Sequence, residues 1–289
     1  MMTIKKRWIV LFLLPGTALF LFVYMASIIN VFGTSFANWR IGQDIRFTGP
    51  GNYVSLLGSE RFRKALGNNL IWILLQSTVH VAIGILFALI TVHKKWYSKI
   101  SQTIFMLPNI LSSAALGMLF FNIFNPMYGP VNKIIQLFGN NNFNVNWYAN
   151  SDTAFFAVTM TWLPFAAIIA ILAAAELAAI SDDIFEAATI DGANEFQMNW
   201  RIKLPLLKNA IGTGTILAAT SMLQKMDILI MTSNGGPGNQ TMNLPLLIYL
   251  TAMQDNNFGL ANACGVILVL IGLVSIGIIN KVYHMNEPV

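Results

Sequence analysis

Apolar residues along this chain gather into six long stretches, at about 8–31, 69–92, 102–124, 154–178, 209–231 and 260–280. Each approaches or exceeds the roughly 20 residues that a helix needs to cross the hydrocarbon core of a bilayer. Polar connections with turn chemistry separate them, such as Gly49-Pro50-Gly51 and Gly235-Gly236-Pro237-Gly238. The pattern therefore predicts an all-α, polytopic membrane protein with six transmembrane helices in one domain over 1–289. The first stretch follows Lys5, Lys6 and Arg7 and runs from Trp8 to about Ile29. That is longer than the 7–15-residue core of a signal peptide, so it reads as an uncleaved span.

An even number of spans puts both termini on one side, and the basic residues choose that side. With the termini inside, cytoplasmic segments hold Lys5, Lys6, Arg7, Lys94, Lys95, Lys99, Arg201, Lys203, Lys208 and Lys281. Outer segments hold Arg40, Arg46, Arg61, Arg63, Lys64 and Lys133, so the balance is ten to six for N-in, C-in. Much of the outer charge lies in "RFRKALGNN" before the second span, which reads as an interfacial helix.

Composition agrees: 56% of the 289 residues are hydrophobic and 10% charged, against about 25% charged in soluble domains. The net charge of +5 is explained by topology rather than by nucleic acid. The single Cys264 lies in an apolar run and cannot form an internal disulfide. No GxxxxGK[ST] phosphate loop, HExxH or histidine–carboxylate cluster occurs, which argues against ATP hydrolysis on this chain, a metal site, or any catalytic residue. His93 and His284 read as solvated span ends, and His80 as a span histidine bonded to a neighbouring helix.

One polar segment interrupts the apolar pattern. "EAATIDGANEFQMNWRIKLP", Glu186–Pro205, falls in the longest cytoplasmic connection, about 179–208. A capping box from Asp183 to Glu186 opens a helix there, with Ser181 as the alternative cap. Ile184, Ala187 and Ala188 share one side of it, with Glu186 and Thr189 on another. Asp191-Gly192 stops that helix. Beyond it Phe196, Met198, Trp200, Ile202 and Leu204 alternate with polar residues, a strand-like period. No partner strand is available, so a second short helix, ended or redirected at Leu204-Pro205, is expected.

The same segment resembles the cytoplasmic signature of permease subunits of binding-protein-dependent ABC importers. Glu186, Ala187, Ala188, Gly192, Ile202, Leu204 and Pro205 stand at its spacing. "SFANW", "GPGNYVSLL", "FRKALGNN", "MDILIMTSNGGPGNQT" and "FGLANACGVIL" are similar to the carbohydrate-uptake branch, and the Gly-Gly-Pro loop to one partner of maltose- and glycerol-phosphate-type systems. Departures are Ser181 and Asn30, where proline is common. The resemblance implies a type I importer fold and a loop that docks on an ATPase subunit. There Glu186 offers a charged contact, Gly192 a close turn beside Asp191, and the alanines a flat surface. It also implies a second, different permease, two nucleotide-binding subunits carrying ATP and Mg, an extracytoplasmic solute-binding protein, and a place in the bacterial cytoplasmic membrane with lipid around it.

Candidates for the solute pathway are polar or kink-forming residues inside spans. Asn109 follows Pro108, and Trp162 precedes Pro164. Gln224, Lys225 and Asp227 lie toward the outer end of the fifth span. Asp227 matches a family position and has a structural reading, while Lys225 either faces the route or snorkels to the interface. The expected cargo is a sugar or oligosaccharide. A glycerol phosphate or other polar solute is the alternative within the same machinery, and an ion-coupled secondary transporter the alternative outside it.

Overall fold

A computed structural model describes residues 6–91, 96–138 and 142–283, and it is helical almost throughout. Lys5, His93, Lys94, Lys95 and His284 lie outside the described residues. Three helices are long and apolar enough to cross a membrane unbroken: Val10–Thr34, Glu60–Thr91 and Phe258–Tyr283. The pair Ser98–Ile110 and Ser113–Ile123, bent by 102°, is long and apolar enough when its two helices are taken together.

Two of the other expected spans are helical but interrupted. The fourth stops at Met160 and resumes at Ala167, because Trp162-Leu163-Pro164 places a proline where continuing backbone bonds would be needed. The fifth runs Lys208–Ser221 and restarts at Asp227. The helix Leu244–Met253 was not expected, since it is too short to register as a span. The "RFRKALGNN" segment is no separate interfacial helix, because it forms the opening turns of the 32-residue Glu60–Thr91 helix.

The chain divides into two compact units, Met1–Glu60 with Leu247–Val269, and Arg61–Leu246 with Leu270–Val289. In the first, the only described strands, Ala37–Asn38 and Arg46–Phe47, pair antiparallel below the first helix. Asn52 Nδ2 donates to the carbonyls of Ser35 and Ala37 at 2.8 and 2.9 Å. Asn262 Nδ2 donates to Thr34 Oγ1 at 2.7 Å, and Gly259 lies so close to the Ala37 carbonyl that a Cβ would clash. Three separately quoted sequence motifs thus converge on one small hydrogen-bonded corner.

The second unit is built around an apolar cluster. Val81, Ile85 and Ala88 pack with Ala166, Ile169, Ala173 and Leu177 and with Leu207, Ala210 and Ala218. Small residues let these backbones approach, which is how helices gain contact in lipid without a hydrophobic driving force. A Cβ on Gly84 would lie 2.6 Å from Ile169 Cβ and 2.9 Å from the Ala166 carbonyl oxygen. Toward the other end, Trp72 is buried, stacks on Phe155 at 4.9 Å, and donates its indole N–H to Thr159 Oγ1 at 2.9 Å. The Gly-Gly-Pro loop is pinned to the same helix. Asn68 Nδ2 donates to the Gln240 and Met242 carbonyls at 2.9 and 2.7 Å, and Asn69 Oδ1 accepts the Leu244 N–H at 2.8 Å.

Candidate functional sites: an exposed loop helix and a polar cavity

The segment around Glu186–Pro205 folds as two helices joined by a tight turn. The first is Asp182–Ile190, and its cap is Ser181, whose Oγ accepts the Asp183 N–H at 3.3 Å. The Asp183 capping box is therefore corrected: Asp182 and Asp183 lie inside the first turn, where their charge favours the positive end of the helix dipole. The helix closes with a Schellman pair. Ala193 N–H donates to the Ala188 carbonyl at 3.0 Å and Gly192 N–H to that of Thr189 at 3.1 Å, with Gly192 at φ +84°.

Asn194 then opens the second helix with a reciprocal capping box. Its Oδ1 accepts the Gln197 N–H at 2.8 Å, and its own N–H donates to Gln197 Oε1 at 3.0 Å. This cap overrides the strand-like alternation, and residues 195–206 are helical, with a wide turn of π geometry over Met198–Lys203. Pro205 does not end the helix. It lies in the turn Leu204–Leu206, which continues the helix directly from Lys203.

Burial divides the loop into a root and a face. Phe185 and Ala188 are half-buried, whereas Asp183, Glu186, Ala187 and Ile190 share the exposed side. The two alanines are thus split, Ala188 turned inward and Ala187 outward. Leu204 packs against the apolar cluster and Ile202 is half-buried, so both root the loop. Asp191, Gly192 and Pro205 are exposed. Lys203 is buried, with its ammonium 5.6 Å above the Phe185 ring. Burial pushes that ammonium below its ordinary pKa, and the Glu195 carboxylate opposes the shift.

The outward side is unusually apolar for a polar connection. Ile190 is 86% exposed, Phe196 69% and Trp200 54%, with the Phe196 and Trp200 rings 5.9 Å apart. Trp200 also lines a groove with Leu86 and Ile90 of the Glu60–Thr91 helix.

A second site lies among the helices of the same unit. A cavity of about 190 Å³ is lined by Gln76, His80, Asn109, Trp162, Ser221 and Lys225, among others. Three of the sequence candidates, Asn109, Trp162 and Lys225, meet there. Gln224 and Asp227 are exposed and do not line it. Asn109 Nδ2 donates to the Phe165 carbonyl at 3.2 Å, using the backbone freed by the helix break. His80 Nδ1–H donates to the Leu163 carbonyl at 2.8 Å, the interhelical bond its sequence position suggested.

Gln76 was missed by sequence reasoning. It is 1% exposed and its Oε1 has no hydrogen-bond partner. It opens a wide turn, Gln76–His80, in the Glu60–Thr91 helix, a feature common at functional sites. The signal available beforehand was a glutamine four residues before a histidine within an apolar span.

Interrupted helices around a polar cavity, with exposed apolar side chains on a connecting loop, fit a membrane-embedded transport subunit. Over residues 80–283 the chain matches the family described as binding-protein-dependent transport system inner membrane component, and it belongs to that family. It is 31% identical over 246 residues to the multiple sugar-binding transport system permease protein MsmF of Streptococcus mutans, covering 84% of this chain and 83% of that one. It is 28% identical to the trehalose/maltose transport system permease protein MalF of Thermococcus litoralis, over 76% of this chain and 74% of the relative. A crystal structure of a bacterial ABC transporter involved in importing the acidic polysaccharide alginate contains a chain that superposes with a TM-score of 0.80. At 23% identity over 97% and 96% of the two chains, that likeness establishes the ABC importer permease fold.

Proposed function

We propose that this chain is the transmembrane subunit of an ATP-driven importer that carries a sugar or oligosaccharide across the bacterial cytoplasmic membrane. It works with a second, different permease, two nucleotide-binding subunits that hold ATP and Mg, and an extracytoplasmic solute-binding protein. Family membership and the sugar-transport relatives support the cargo class. The N-in, C-in orientation, supported by the ten-to-six basic balance, puts the Asp182–Ile190 helix in the cytosol.

The observation that carries the reading is the exposed face of that helix, Glu186, Ala187 and Ile190, with Phe196 and Trp200 also exposed on the helix that follows. An ATPase subunit covers this face. When two such subunits close on ATP, they draw the docked helices together and favour one membrane conformation over the other, a rigid-body shift powered by differential contact. Leu204 and Lys203 transmit the movement, because they join the loop to the apolar cluster and to the Phe185 root. The polar cavity with Asn109, Trp162 and Lys225 forms part of the solute route, and Gln224 and Asp227 stand outside it.

The test is uptake of labelled candidate sugars by a strain lacking this chain, before and after its return. Restored, ATP-dependent uptake of at least one saccharide supports the reading. Restored uptake that persists when the ATPase subunit is inactivated, and collapses with the proton gradient, overturns it.

A further inference from the structure

The cavity has a chemical bias that a neutral sugar does not require. Lys225 is the one lysine or arginine among its lining residues, and no aspartate or glutamate lines it. Among the described residues no ion pair or hydrogen bond engages the Lys225 side chain, although its own backbone carbonyl accepts from Asn243 Nδ2 at 2.5 Å. Asp227, two residues on, is exposed and does not line the cavity. An intramembrane cation without a carboxylate is costly, and its natural complement is an anion brought in by a ligand.

Beside it, Gln76 presents a buried acceptor with no donor. Ser221 adds a hydroxyl, although that hydroxyl already donates to the Ala218 carbonyl at 2.7 Å and so has acceptor capacity left. Acceptors of this kind await hydroxyl donors. A cation, an orphaned acceptor and the indole of Trp162 around one small space fit a hydroxyl-rich ring that carries a negative group. The volume, about 190 Å³, is below the range of about 300–1,000 Å³ typical of drug-sized sites, so one ring enters at a time.

Resting on the carbohydrate-import reading, we propose that the cavity selects acidic saccharides, with Lys225 receiving the anionic group and Gln76 a ring hydroxyl. The anion is a carboxylate, as in a uronate, or a phosphate ester, and the experiment separates these.

Cells carrying the complete importer are given a labelled uronate disaccharide, a labelled hexose phosphate, or labelled maltose, with the native chain, Lys225→Met or Lys225→Arg. Uptake of the uronate or of the hexose phosphate is expected, and whichever enters identifies the anion. Lys225→Met is expected to lower that uptake about 10- to 100-fold, the loss of one charge-assisted bond, whereas Lys225→Arg stays within about threefold. The amount of complex recovered with its ATPase subunits monitors assembly of each variant.

Import of maltose without either acidic solute overturns this inference and leaves the importer reading standing. So does a Lys225→Met variant that assembles poorly or loses neutral and acidic uptake alike, because Lys225 would then be pairing with protein. Import of no saccharide by an assembled complex that hydrolyses ATP overturns both.

Discussion

Replacing Gly192 by valine tests whether the end of the exposed loop helix is held by backbone conformation. Gly192 has φ +84° and nothing within 4 Å of where a Cβ would stand. A side chain there meets no neighbour, and the whole penalty is conformational. A β-branched residue forced into the left-handed region costs about 1–3 kcal/mol. If the turn relaxes instead, two hydrogen bonds are lost, those from Ala193 and Gly192 to the Ala188 and Thr189 carbonyls. At roughly 0.5–1.5 kcal/mol net each, that route costs about the same. Either sum is small against the ~5–15 kcal/mol that stabilises a typical fold, so folded protein should be recovered within about twofold of normal. Taken from the coupling between loop and ATPase, the same 1–3 kcal/mol corresponds to about 5- to 150-fold. The assay pairs folded yield, read by size exclusion after detergent extraction, with initial uptake rate. Gly192→Val is expected to keep its yield and lose uptake by that factor, while Gly192→Asn, which tolerates positive φ, stays within about threefold. Normal uptake in the valine variant refutes the reasoning, and so does equal loss in both variants, since the requirement would then be for space rather than for φ.

Gly84→Val should behave oppositely, losing thermal stability in detergent by about 1–3 kcal/mol or failing to fold, because its Cβ falls 2.6 Å from Ile169 Cβ. Thr159→Val should strand the Trp72 indole N–H, now bonded at 2.9 Å, and cost about 1–3 kcal/mol, read as a lower melting temperature. Lys203 titrates below its ordinary value of 10.5 because it is buried, so the unfolded chain binds more protons in the alkaline window below 10.5 and stability rises with pH there. Lys203→Met should flatten that rise in a melting series, and an unchanged slope would contradict the assignment.

The sequence was most informative where periodicity and turn chemistry agreed. The first, second and last spans follow from uninterrupted apolar runs and were found as helices to within a few residues, apart from the second, which begins earlier at Glu60. The loop helix and its stop at Gly192 were legible from one glycine behind an amphipathic turn. The second helix after Gly192 was expected against a strand-like alternation, and the Asn194–Gln197 box opens it. What was missed was missed for tertiary reasons. Hydrophobicity does not distinguish an unbroken span from one opened at Trp162-Leu163-Pro164 or bent beyond Pro108-Asn109, since both keep their apolar residues. The cavity was half visible. Asn109, Trp162 and Lys225 stood out as polar, aromatic or kink-adjacent, but their meeting with Gln76 and His80 depends on four segments distant in sequence. Gln224 and Asp227 were candidates beside Lys225 in the same stretch, but both are exposed and neither lines the cavity.

The central claim is that the loop face couples this membrane subunit to an ATPase. The most direct measurement is purification of the tagged chain from native membranes, with the accompanying proteins identified and their ATP hydrolysis recorded. A subunit carrying a phosphate-loop motif should co-purify with the unaltered chain and be lost, about tenfold or more, when Glu186 is changed to Lys and Trp200 to Ser. Co-purification undiminished by those changes, or a chain that supports saccharide uptake with no such ATPase attached, would contradict the account.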